Sequence, residues 1–248
     1  RIRGFSAGSL TLVAQFMAAF GFFFVVLQYL QFVTDRSPLE AALALLPLPF
    51  VLLPTARTAP RIAQRVGFRR LAPVGLVSSA IGFLILSQLQ VDSSYLHFVA
   101  GLLFFGFGMG AAGTPATTAI TSSLPMEKQG VASAWNDTAR ELGSAFGIAF
   151  LGSMLNQGYR DGMAAAVAEL PEQVAERVLG SIAFTASPIV AMMGEEGERL
   201  VVAAKEAFVG GVGDAVLAAS VILVVTAVVV AVMAPRANGR SEASTEEE

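Results

Sequence analysis

The sequence predicts an all-α integral membrane protein built as a bundle of six transmembrane helices, and three observations point there. Six mostly apolar runs follow one another, each close to the roughly 20 residues needed to cross the hydrocarbon. Hydrophobic residues make up 54 % of the 248 and charged residues only 14 %, against about 25 % in an ordinary soluble domain. The arginines and lysines gather in alternate connections, as the positive-inside rule requires of a chain that crosses repeatedly.

The first span is Leu10–Val33. Gln15, Gln28 and Gln31 sit in it among aromatics, the last two near its far end, where polar groups cost little. Gln28, Phe22, Tyr29 and, further on, Trp135 are candidates for contact with an apolar ligand. Packing or interface anchoring is the commoner role of such residues. Residue 1 is Arg and no cleavable leader precedes this span, so the chain is expected to be a piece whose N-terminal portion is missing.

Ser37-Pro38-Leu39-Glu40 reads as a capping box with proline at the first helical position, starting the second span, Leu39–Ala56. Pro47, Pro49 and Pro54 interrupt that span. The next connection carries Arg57, Arg61, Arg65, Arg69 and Arg70, which places it in the cytoplasm. Two roles are open to these arginines: holding topology, or latching onto carboxylates or helix C-termini of neighbouring helices.

The third and fourth spans are Leu71–Leu89 and Leu96–Ser122. His97 stands at an external helix start as an interfacial residue. The fourth holds Gly106, Gly108, Gly110 and Gly113, then Pro115, which frees the carbonyl near Ala111. No strand precedes this G-x-G-x-G, so it is not a nucleotide loop. A kinked, closely packed helix is expected, with Gly110, Gly113 and Pro115 at the kink.

The fifth span, Val131–Leu155, is the most informative. Its sequence GVASAWNDTARELGSAFGIAFLG sets Asn136, Asp137, Arg140 and Glu141 among small apolar residues. A charge at the middle of a membrane helix costs roughly 2.5–3.5 kcal/mol on insertion scales, so such groups face a polar interior or a partner. Asn136 and Arg140 share one face and Asp137 and Glu141 the adjacent one, with Ser133 and Ser144 extending the stripe. Gly143 and Gly147 form a G-x-x-x-G pair that admits a close helix. The spacing fits a helix lining a cavity; the plainer alternative is an internal ion pair neutralising Arg140.

Residues 156–208 form a long extracytoplasmic connection, read as a packed hairpin in preference to a lid over a substrate path. Glu195–Phe208 is a helix that can run into the last span, Val209–Ala234. Residues 235–248 are expected to be a disordered acidic cytoplasmic tail. The domain plan is thus 1–155 (five spans), 156–208, 209–234 and 235–248, with both ends cytoplasmic.

Composition also excludes functions. Cysteine is absent and His97 is the single histidine, so disulfides, thiolate metal sites and histidine-rich metal sites are out. No basic tract of the nucleic-acid-binding kind occurs. No nucleophile–base pair accompanies His97, so an intramembrane enzyme is disfavoured.

Three segments resemble the C-terminal part of a major facilitator superfamily transporter of the fourteen-span drug:proton antiporter type. YLQFVTDRSPLEAALALLPLPF resembles the family's YLQ…SPLEAG…LLP run. The arginine connection resembles a degenerate copy of its G-x-L-a-D-R-x-G-R-[RK] loop: Arg65, Gly67, Arg69 and Arg70 match, while Pro60 and Gln64 replace Gly and Asp. The Gly130–Gly152 stretch resembles its G-x-A-S-G-x-x-N-x-x-R-x-x-G-x-x-x-G segment, with Ala134 for Gly and Glu141 where a neutral residue is frequent. GFGMGAAGTP also resembles its G-x-G-x-G…P helix. The resemblance covers Arg1 to Pro235.

It implies the C-terminal half of a major facilitator fold in a bacterial plasma membrane. It implies proton-driven export of small amphipathic compounds by alternating access, with the proton gradient and no cofactor as energy source. The partners would be a small-molecule substrate, the bilayer and the N-terminal helix bundle of the same protein, with no nucleic acid. Asn136, Asp137, Arg140, Glu141, Gln28 and Trp135 would line the cavity, and Arg65, Gly67, Arg69 and Arg70 would gate it. With the latch acid replaced by Gln64, a membrane sensor of the same fold without a transport cycle is the alternative.

Overall fold

A computed structural model describes residues 2–235, and these are helical almost throughout. The long helices are α1 (Ile2–Gln28), continued by a π-helical turn at Tyr29–Val33; α3 (Pro47–Val66), preceded by the short α2 (Pro38–Ala44); α4 (Phe68–Leu86); α5 (Tyr95–Thr121); α6 (Gln129–Met163); and α9 (Glu195–Met233). Between the last two lie α7 (Glu172–Gly180) and α8 (Pro188–Ala191).

Among the described residues, four helices are long and apolar enough to cross a membrane, and the bent pair α2–α3 makes a fifth candidate. The expected sixth, α6, falls outside that set despite its 35 residues. The reason lies in the sequence: its N-terminal half carries Asp137, Arg140 and Glu141, and its far end Arg160 and Asp161.

The second span breaks where the prolines begin. The capping box forms as expected, with Ser37 Oγ accepting from Glu40 N at 3.3 Å and Glu40 Oε2 accepting from Ser37 N at 2.8 Å. The helix then turns by 41° between Ala44 and Pro47. Leu48 N donates to Leu45 O rather than to Ala44 O, and the Tyr95 hydroxyl donates to Ala44 O at 3.0 Å instead. A side chain from α5 thus repairs the break.

The arginine connection is not a loop. α3 continues ten residues past the expected Ala56 boundary, so Arg57, Arg61 and Arg65 ride on its last turns. Gly67 alone joins α3 to α4, with φ 86° and ψ 148°, a conformation that glycine adopts without a Cβ penalty.

Small residues set the helix seams. A Cβ on Gly143 would lie 2.5 Å from Val13 O, and one on Gly147 would collide with Met17 O, so α6 lies backbone-close to α1. Gly106 and Gly110 do the same for α5 against α3, as do Gly75, Gly82, Gly101 and Gly108 for α4 against α5. Gly113 departs from expectation: nothing lies within 4 Å of where its Cβ would be, so it packs against no neighbour. α5 also runs unbroken through the buried Pro115. The centre is filled by Phe22, Phe83 and Phe105, with ring centroids 4.7–5.4 Å apart. Polar clasps cross between helices: Gln15 Nε2 donates to Gly108 O at 3.3 Å, Ser78 to Phe104 O at 2.8 Å, and Ser220 to Ala80 O at 3.1 Å.

The expected boundaries at 155 and 208 fall inside α6 and α9. Both helices overrun a bilayer: at 1.5 Å per residue α6 is about 52 Å long and α9 about 58 Å, against about 30 Å of hydrocarbon. Their overrunning ends carry α7, α8 and the turns around them as a cap whose buried residues Met163, Val167, Val178, Ile182, Val190 and Leu200 continue the core of the bundle. Lys205 Nζ pairs with Asp35 at 2.5 Å and ties this cap to the turn after α1. The acidic tail expected after Pro235 lies outside the described residues.

Candidate functional site

The polar residues of α6 divide by helical position. Asn136 is buried, Arg140 is half-buried, and Asp137 and Glu141 are exposed on the open side of the bundle. The Asn136 amide donates to Ala132 O at 3.1 Å, and its Oδ1 is buried with no partner. One turn on, Arg140 Nη2 donates to Thr117 Oγ1 on α5 at 3.3 Å and the guanidinium sits 5.3 Å from the Phe16 ring centroid on α1. Its Nε is buried and unpartnered.

The internal ion pair does not form: among the described residues no carboxylate pairs with Arg140. Helical spacing explains this. Asp137 and Glu141 sit on the face turned away from α1 and α5, while Arg140 points into the α1–α5–α6 junction. The site is a cation held by a hydroxyl and an aromatic face, with an open acidic face beside it. Among the described residues, the buried donor Arg140 Nε and the buried acceptor Asn136 Oδ1, a turn apart, have no partner.

Two expected members stand elsewhere. Trp135 Nε1 donates to Ser9 Oγ at 2.6 Å and its ring lies 5.7 Å from Phe5, which turns it from the carboxylates to a flank of α1. Its neighbour positions 136 and 137 are one and two residues on, so it leaves the polar stripe by helical rotation. Gln28 lies twelve residues beyond Phe16 on α1, about 18 Å along the axis. It donates to Phe24 O at 3.0 Å and lines a separate cavity under the cap.

At the opposite end, Arg65 and Arg70 are exposed, whereas Arg69 Nε donates to Ala231 O near the end of α9 at 2.7 Å. Of the two roles open to these arginines, Arg69 has a helix C-terminus as partner. Gln64 lines a cavity of about 280 Å³ with Pro60, Pro115, Ser123 and Pro235.

The sequence reading missed Thr117 and Phe16 as partners of Arg140, and missed the cap residue Tyr159. Its hydroxyl donates to Val178 O at 3.0 Å, and burial pushes the phenol up to about 12. Thr117 carried a faint signal: it lies on the same polar face of α5 as Thr114, Thr118 and Thr121.

A helical bundle with several apolar spans, small-residue seams and an open polar face on a long helix is the architecture of a multi-pass membrane protein. Residues 3–148 match the Major Facilitator Superfamily, and the chain belongs to it. Among relatives, it is 31 % identical over 232 residues to the multidrug efflux pump LfrA of Mycolicibacterium smegmatis, covering 92 % of this chain and 45 % of that protein. It is 28 % identical over 208 residues to the methyl viologen resistance protein SmvA of Salmonella typhimurium, covering 84 % and 42 %. It is 29 % identical over 215 residues to the drug efflux pump JefA of Mycobacterium tuberculosis, covering 82 % and 42 %. The chain therefore spans less than half the length of these relatives.

Proposed function

We propose that this chain is the C-terminal half of a proton-coupled exporter of small amphipathic compounds in a bacterial plasma membrane. The arginine end faces the cytoplasm and the cap faces outside. The N-terminal bundle of the same protein covers the open face of α6, and the substrate path runs between the two halves. Rocking of one half against the other exposes that path alternately to each side. The whole protein, not this half alone, would work as a transporter and not as an enzyme.

The observation that carries this reading is the α6 polar cluster. Asp137 and Glu141 stand exposed on a helix made mostly of small and apolar residues between Val131 and Leu155. Facing lipid, each would cost about 2.5–3.5 kcal/mol, so that face belongs against protein or a wet path. Arg140 and Asn136 add unspent hydrogen-bonding capacity beside it. The relatives named as efflux pumps support export.

The test uses the full-length protein in energised inverted vesicles. Asp137→Asn combined with Glu141→Gln is expected to lower uptake of a cationic dye at least ten-fold and to alter its pH dependence. Unchanged uptake, pH dependence and substrate range would remove the acidic face from the mechanism. Uptake that persists after a protonophore would refute proton coupling.

A further inference from the structure

The α6 polar cluster leaves a second concavity unused, at the cap end. It is a cavity of about 130 Å³ where the far ends of α1, α6 and α9 meet the cap. Glycines stand at its wall and at its mouth. A Cβ on Gly152 would lie 3.0 Å from the Phe24 ring, and nothing lies within 4 Å of the Cβ position of Gly180 at the mouth.

Its walls are aromatic. Phe24, 44 % exposed, forms one side. Tyr159 and Phe208, edge to face at 6.1 Å, form the other. Its rim is polar and neutral, made by the Gln28 and Asn156 amides and Ser181. The Gln28 amide nitrogen is spent on Phe24 O and the Tyr159 hydroxyl on Val178 O, which leaves their oxygens as acceptors. No charged side chain lines the cavity.

The volume is well below the roughly 300–1,000 Å³ of a drug-sized pocket, so it suits one ring and not a whole compound. Aromatic faces attract cations, and acceptor oxygens favour donors. With no arginine or lysine in the lining, a carboxylate would find no counter-charge. Asn156 lies fifteen residues beyond Glu141, about 22 Å along α6, so this place is separate from the polar cluster.

We propose that this cavity is a second binding subsite, taking a single neutral or cationic aromatic ring from the cap side. Its position on the exit side rests on the export reading above; the binding itself does not.

Full-length protein carrying Phe24→Trp, in detergent without any ion gradient, tests it with methyl viologen, a dication of two linked pyridinium rings, one of which enters the cavity, that quenches indole on contact. A saturable component absent from the parent protein is expected. Adding Ser181→Phe, which fills the exposed mouth, should weaken it at least ten-fold, while adding Met192→Phe, on the exposed cap surface outside the lining, should leave it. Quenching that rises only linearly, or that survives Ser181→Phe, would overturn the proposal. So would quenching abolished by Asp137→Asn with Glu141→Gln but kept with Ser181→Phe, since the dication would then sit at the polar cluster. Loss of transport with the saturable component intact would count against export and not against this subsite.

Discussion

Arg69 and Ala231 are 162 positions apart, yet the guanidinium Nε of the first donates to the carbonyl of the second at 2.7 Å. Ala231 is among the last residues of α9, whose final carbonyls have no partner within the helix. A cation there also meets the negative end of the helix dipole. The contact joins the first and last helices of the α4–α9 pair at the arginine end. Arg69→Gln is expected to lower stability by about 1.5–3 kcal/mol, the range for a hydrogen bond to a charged group. Thermal unfolding of the full-length protein in detergent checks it; no shift would mean the contact contributes nothing.

The α1–α6 seam predicts a contrast between two glycines. A Cβ at Gly147 meets the Met17 backbone, which cannot move aside as a side chain tip could. Gly147→Leu should cost at least the ~1–3 kcal/mol of overpacking. Gly113→Ala, placed in open space on α5, should be neutral or gain up to about 1 kcal/mol from helix propensity. Comparing folded yield and melting temperature of the pair tests the seam.

Arg140 is held by the face of the Phe16 ring, 5.3 Å from its centroid, and by a hydrogen bond to Thr117. Lysine offers neither the planar face nor a second donor in the same plane. Arg140→Lys is therefore expected to lose most export, at least ten-fold, with expression and melting temperature near those of the parent. Full activity in the lysine variant would reduce Arg140 to a point charge.

The cap has its own pH signature. The Tyr159 phenol is pushed up to about 12 because it is buried. A folded-state value above the unfolded value of about 10 stabilises the fold fully below pH 10, and the contribution is lost as pH rises towards 12. Proteolysis within residues 164–194 should accelerate over that window, and Tyr159→Phe should flatten the dependence. The phenylalanine variant should also lose about 1 kcal/mol at neutral pH through the missing bond to Val178 O.

What the sequence disclosed was whatever periodicity and local chemistry encode. The capping box at Ser37–Glu40 and the Gly143/Gly147 seam appear where residue spacing put them. The polar stripe of α6 also splits into an inward and an open face by the rotation its spacing implies. Three-dimensional partners were another matter. Nothing local in Arg140 names Phe16 or Thr117, which lie on other helices. Charge counting made the Arg57–Arg70 stretch a loop, whereas α3 keeps its helix through Val66 because those arginines reach into water while the backbone stays bonded. Gln28 and Trp135 looked alike as polar-tipped residues near apolar neighbours. Only packing separates them into the cap cavity and the Ser9 flank.

The overrun of α6 and α9 turns the cap into a lever. From Leu155 to Met163 and from Phe208 back to Glu195, the two helices stand about 12 and 20 Å beyond the end of the apolar spans. The cap is welded to both, so a tilt of the bundle about its middle moves the cap further than any residue in the core. An antibody fragment raised against residues 164–194 would then grip the long arm of that lever. It could brake the tilt, or report it, without reaching the polar cluster at all.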